Sequence, residues 1–190
     1  MHWILASGLA AAASPVLDGI TVHLAEPVGG TVQIEQTNKP VYLGYQAHEG
    51  AQFEVRYDQT RADRVTVQLR YETSITVNLD GSHWDLTDFV HGSSGWIDLK
   101  PGERGYALPH ITPNDLRRFP TLSRTQIDAG IAAYHGDSAA ASAADQTSCA
   151  DPFTDPCRVA LSRMWLQVTA WKDGTPIEGR LVTIDIPMGC

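Results

Sequence analysis

Between positions 83 and 91 the chain reads His83-Trp84-Asp85-Leu86-Thr87-Asp88-Phe89-Val90-His91. Imidazoles and carboxylates are ligands for divalent metals, so His83, Asp85, Asp88 and His91 are candidate ligands. Their spacing works against a closed site. On a helix Asp85 and Asp88 share a face, but His83 and His91 lie eight residues apart. In an extended chain Asp85 and Asp88 point oppositely. Trp84, Leu86 and Phe89 read more simply as apolar anchors in a solvated loop. The expectation is that neither metal nor cofactor binds.

A broader pattern surrounds this segment. No Lys or Arg occurs between Arg70 and Lys100, while Glu72, Asp80, Asp85, Asp88 and Asp98 do, with Trp84 and Trp96 among them. Aromatic anchors beside acidic groups suit a protein interface, where charge speeds and selects encounter. Trp84, Asp85, Asp88, Trp96 and Asp98 are therefore the candidate binding residues. The same mixture could stack a sugar ring on a tryptophan, with carboxylates accepting its hydroxyls. The competing reading makes both tryptophans core residues and leaves the acids solvated.

Cys149 and Cys157 bracket a seven-residue loop containing Pro152 and Pro156, and Cys190 is the last residue. Zinc sites use closer pairs and about four ligands, so the pattern reads as a disulfide. Cys149–Cys157 is the expected bridge because it is local, with Cys157–Cys190 as the alternative. Asp151 and Asp155 are too few for calcium, which takes about 6–8 oxygens. No G-x-S-x-G elbow, H-E-x-x-H helix or phosphate-binding loop occurs.

These residues need a scaffold, and the alternation of the chain supplies one. Ile20–Leu24, Thr31–Glu35, Val41–Tyr45, Gln52–Tyr57, Val65–Tyr71 and Ser74–Leu79 alternate apolar and polar side chains or are rich in β-formers. Strands at this spacing predict an antiparallel sandwich or barrel. Gly95–Leu99 adds a strand, followed by a turn over Lys100–Glu103 with Pro101 at its second position. A helical insertion is expected over about 112–136. It comprises a short helix opened by Thr112-Pro113, then one capped by Ser123, with Ile127, Ile131 and Tyr134 on one face. Residues 137–145 are Ala- and Ser-rich and read as a loop. Strands then return at Met164–Trp171 and Leu181–Ile186, joined by Lys172-Asp173-Gly174-Thr175-Pro176. Trp171 through Ile184 loosely resembles the hairpins of bacterial immunoglobulin-like domains, where DG-x-P-x-x-G separates two strands. That resemblance covers under a tenth of the chain.

The 190 residues suffice for one domain, here 15–190 after a leader, and should bury roughly 70% of the unfolded surface. A net charge of -8 argues against nucleic acid and permits a basic protein partner. Trp3–Ala13 is an 11-residue apolar run ending in small residues. It is too short to span a bilayer and reads as a signal peptide cleaved after Ala13 or Ser14, although no Lys or Arg precedes it. Export, acidity and the missing motifs favour a non-catalytic envelope protein, such as an inhibitor or immunity protein for a basic lytic enzyme. A secreted carbohydrate-active hydrolase or binding module, with residues 80–98 as acid and base, is the first alternative. A structural or adhesive module of a surface appendage is the second.

Overall fold

Residues 64–79 carry Val65, Val67, Leu69, Tyr71, Thr73, Ile75 and Val77 at every second position, so a strand through them turns one face inward. The computed structural model describes residues 14–25, 29–34, 40–43, 50–79, 82–86, 91–110, 112, 114, 124–135 and 157–188. Over these the chain forms β1 (Leu17–His23), β2 (Thr31–Ile34), β3 (Val41–Tyr42), β4 (Gln52–Tyr57) and β5 (Arg64–Leu79). It continues through β6 (Ser82–Asp85), β7 (His91–Ser93), β8 (Ile97–Leu99), β9 (Pro101–Gly102) and β10 (Gly105–Ala107). Helix α1 (Arg124–His135), β11 (Cys157–Lys172) and β12 (Thr175–Asp185) complete it.

The strands form two sheets, giving a mainly β, sandwich-like domain. The smaller sheet runs β2-β1-β4-β10-β9. The larger runs β3-β12-β11-β5, with β6, β7 and β8 following one another along the remaining edge of β5. Every pairing is antiparallel except β3 with β12. Leu17, Ile20, Val22 and Phe53 from the smaller sheet join Leu69, Leu166, Val168 and Ile184 from the larger in one core. Each such side chain contributes roughly 1.5–3 kcal/mol by leaving water.

The two alternating runs of residues 65–71 and 74–79 are one strand, because β11 pairs with β5 from Arg64 to Val77. The Asp-Gly turn forms as its chemistry predicts: Asp173 and Gly174 take φ of 50° and 76° between β11 and β12. The turn expected over Lys100–Glu103 sits two residues later. Gly102 pairs with Gly105 across Glu103-Arg104. Gly105 decides that position. Its φ is 98°, and a Cβ there would lie 2.4 Å from the Phe53 carbonyl oxygen. The second predicted helix is present as α1, with Ile131 fully buried. The short helix after Thr112, beyond Asn114, and the Ala/Ser stretch 137–145 lie outside the described residues. No helix among the described residues is long and apolar enough to cross a membrane.

A clasp joins the start of β1 to β12. The Glu178 carboxylate accepts the N–H groups of Val16 (2.5 Å) and Leu17 (3.2 Å), and Arg180 donates to the Leu17 carbonyl at 3.0 Å. Arg61 donates to the Ser14 carbonyl at 2.5 Å. The backbone of Ser14, Val16 and Leu17 is thus held by three charged side chains.

Candidate functional site

The inward residues of β11 change phase partway along. Val159 and Leu161 are buried, then Met164, Leu166, Val168 and Ala170. Two odd positions followed by four even ones require one extra residue. The register places it at Ser162: Leu161 pairs with Thr73, and Arg163 pairs with Glu72. A bulge turns two consecutive residues to the same face, here Ser162 and Arg163 outward. Buried hydroxyls stabilise it. Ser74 Oγ donates to Ser162 Oγ at 3.0 Å, and Ser162 Oγ donates to the Glu72 carbonyl at 3.3 Å. The Ile186 N–H donates to the Ser162 carbonyl at 2.9 Å.

The bulge aligns a row across the outer face of the larger sheet. Ser93, Glu72, Arg163, Asp185 and Tyr42 are successive partners on β7, β5, β11, β12 and β3. Neighbouring strands lie about 4.8 Å apart, so these side chains can act together. Arg163 Nε donates to Asp185 Oδ1 at 2.6 Å, a short charge-assisted bond. The guanidinium groups of Arg70 and Arg163 stand 5.0 and 5.9 Å from the Trp165 ring centre. Arg70 Nε also donates to Ser93 Oγ at 2.8 Å.

A cavity of about 330 Å³ opens here, lined by Tyr42, Glu72, Asp85, Ser162, Arg163 and Asp185 with Ile186–Met188. The Glu72 side chain is only 7% exposed, and its nearest cationic partner is His91 Nε2 at 3.6 Å. A larger cavity of about 630 Å³ lies against the smaller sheet, near His23, Gln52 and Glu54. Its charged residues Glu54, Glu103 and Arg104 are exposed, so nothing polar is buried toward it.

The residues expected from sequence scatter along the outer edge of the larger sheet. Asp85 pairs with Thr76, half-buried, and accepts its hydroxyl at 2.8 Å. Asp98 is exposed, pairs with Gln68 and accepts its Nε2–H at 2.8 Å. Eight residues of β5 separate those partners, roughly 26 Å at 3.3 Å per residue. Asp85 and Asp98 therefore cannot serve one bond as acid and base, which needs about 5–10 Å. Trp96 is 42% exposed at the irregular step between β7 and β8. The backbone partners of His83 and Trp84 are Asn78 and Val77. His91 pairs with Ser74 and is exposed. Asp88, Cys149 and Cys190 lie outside the described residues, and Cys157 opens β11. No three His, Cys, Asp or Glu side chains converge as a metal site among the described residues.

The gap in Lys and Arg from 71 to 99 does not make an unbroken acidic face. Arg70, Arg158 and Arg163 pair with Trp165, Thr76 and Glu72 across β5 and β11, and so interleave with the acids. Sequence reasoning missed Arg163, Asp185, Ser162 and Tyr42, and treated Glu72 only as one acid among five. The phase change from Val159-x-Leu161 to Met164-x-Leu166-x-Val168 was the available signal for the bulge. Compared with protein-family models, curated proteins and solved structures, the chain matches none.

Proposed function

We propose that this chain is an exported, non-catalytic binding protein of the cell envelope that engages a basic protein through the outer face and β6–β8 edge of its larger sheet. The observation that carries this reading is Trp96. It is a large aromatic side chain, 42% exposed, beside exposed Ile97 and Asp98 on an edge strand. In the row that contains Asp98, Leu181 is 58% exposed at the far side. An aromatic anchor with an adjacent acid is the pattern of an interface centre. Catalysis is less well supported. At this cavity Asp185 is held by Arg163 and Asp85 by the Thr76 hydroxyl, and the partners of Asp85 and Asp98 stand eight residues apart on β5. The leader Trp3–Ala13 and the Cys149–Cys157 loop support export.

The test is capture from the culture envelope fraction on immobilised protein. Wild type retains a basic protein at low salt and releases it as salt rises. Trp96→Ala and Asp98→Lys retain less, with unchanged melting temperatures. Equal capture by all three proteins refutes the assignment of this face. The Trp96–Asp98 pair also suits a sugar ring, and co-sedimentation with insoluble glycan, lost in Trp96→Ala, would favour that alternative.

A further inference from the structure

The geometry points to the cavity beneath Glu72 as the receptor for one lysine or arginine side chain of that basic partner. This rests on the proposed function and names the group that the face would recognise.

Glu72 lines this cavity. Its side chain is 93% buried by the 7% exposure, yet no hydrogen bond to its carboxylate is present among the described residues. Its register neighbour Arg163 gives its Nε–H to Asp185 instead. The remaining neighbour, His91, stands 3.6 Å away, beyond ordinary hydrogen-bond distance, and is 45% exposed. A carboxylate with so little access to water and one long ion pair is only weakly compensated. A cationic ligand entering the cavity completes that compensation.

The other walls suit the same ligand. Asp85 and Asp185 add carboxylates against the single guanidinium of Arg163, so the lining is net acidic. Tyr42 is 73% exposed at the rim, where its ring can cover an alkyl stem or face a cation. Met188 and Ile186 give apolar contact for the stem. A volume of about 330 Å³ is at the small end of ligand sites, which span about 300–1,000 Å³, and fits one side chain. The Ser162 bulge holds the two sides of the site in alignment.

The experiment titrates isotope-labelled full-length protein with Nα-acetyl-lysine amide, Nα-acetyl-arginine amide, Nα-acetyl-norleucine amide and 1,5-diaminopentane. The expected result is saturable shifts of the Glu72, Ser93, Arg163 and Asp185 amides with the lysine or arginine probe. The neutral norleucine probe should bind at least tenfold more weakly. Glu72→Gln should lower affinity at least tenfold. Tyr42→Ala, at a position 73% exposed, should lower it about threefold. Equal binding of norleucine, shifts elsewhere only, or no effect of either variant overturns the assignment. Diaminopentane binding tenfold tighter than the lysine probe also overturns it, in favour of a free small cation. The broader reading is judged separately at Trp96. If the probes fail while Trp96→Ala still abolishes capture, the cavity assignment alone falls.

Discussion

Glu72 faces Arg163 across the two longest strands, yet the Arg163 Nε–H is directed to Asp185 at 2.6 Å. One guanidinium therefore sits in register between two acids and closes on one of them. Asp185 is 16% exposed, so this pair is largely out of water and depends on both members. Arg163→Met should destabilise the fold by about 1–3 kcal/mol in urea denaturation, because it strands a mostly buried carboxylate. Adding Asp185→Leu should recover much of the loss. A double variant no more stable than the single one would refute this account.

The tryptophans on the larger sheet should separate into two kinds. Trp171 Nε1 donates to Thr66 Oγ1 at 2.8 Å, and the Arg64 guanidinium lies 4.8 Å from its ring centre. Trp171→Ala should cost about 2 kcal/mol or more of stability, combining lost packing with a lost bond. Trp96→Ala should change stability by less than about 0.5 kcal/mol, as expected for an exposed position. Calorimetry on both variants checks the contrast.

Two glycines with positive φ should respond unequally to alanine. At Gly105 a Cβ meets the Phe53 carbonyl oxygen at 2.4 Å, so Gly105→Ala adds a backbone clash to the conformational strain. At Gly174 nothing lies within 4 Å of the added carbon, which leaves only strain. Gly174→Ala should cost about 1 kcal/mol, and Gly105→Ala several times that. Comparable melting temperatures for the two variants would contradict this.

Tyr106 should contribute to a loss of stability at high pH. Burial raises its pKa above the ordinary 10.0, with the Tyr57 phenol adding to the effect. Its hydroxyl donates to the Val65 carbonyl at 3.0 Å, and its ring stacks on Phe53. The folded value exceeds the unfolded one. The stability it contributes is therefore complete below pH 10.0 and is lost as pH rises through the folded value. Ultraviolet titration should show one tyrosinate forming late, absent in Tyr106→Phe.

Asp63 should titrate in the opposite sense. The hydrogen bond from Lys172 Nζ, then that from the Asp173 N–H, hold its pKa below the ordinary 3.8. Its contribution is present above that value and is lost as pH falls through the folded one. The same contact raises Lys172 above 10.5. Carbon-detected titration of Lys172→Met should find the Asp63 carboxyl moved upward.

Strand existence was legible in the longer alternating runs, while β6, β7, β10 and the first half of β11 were not expected. Gln52–Tyr57 alternates and is β4 residue for residue, because water on one side and core on the other impose period two. The Asp173-Gly174 turn was legible because few residue pairs accept two positive φ angles. Partners were not legible. Nothing in the order of residues states that 82–99 folds back along β5 in three pieces. From Asp85 to His91 the edge advances six residues while β5 advances two. Even with that slippage, the partners of Asp85 and Asp98 stay eight residues apart on β5. Alternation therefore assigned faces, while the row through Arg163 required the register.

The clasp at Glu178 and Arg180 also fixes when the domain can be finished. Its bonds join residues 161–163 positions apart. At roughly 5–20 residues per second, synthesis of β12 trails that of β1 by about 8–32 s. Through that interval the Val16 and Leu17 amides have no carboxylate to bind, and β5 has no β11 to pair with. The growing chain leaves the ribosome with its N-terminal strand unlatched. Completion of the sandwich therefore waits on the β11–β12 hairpin.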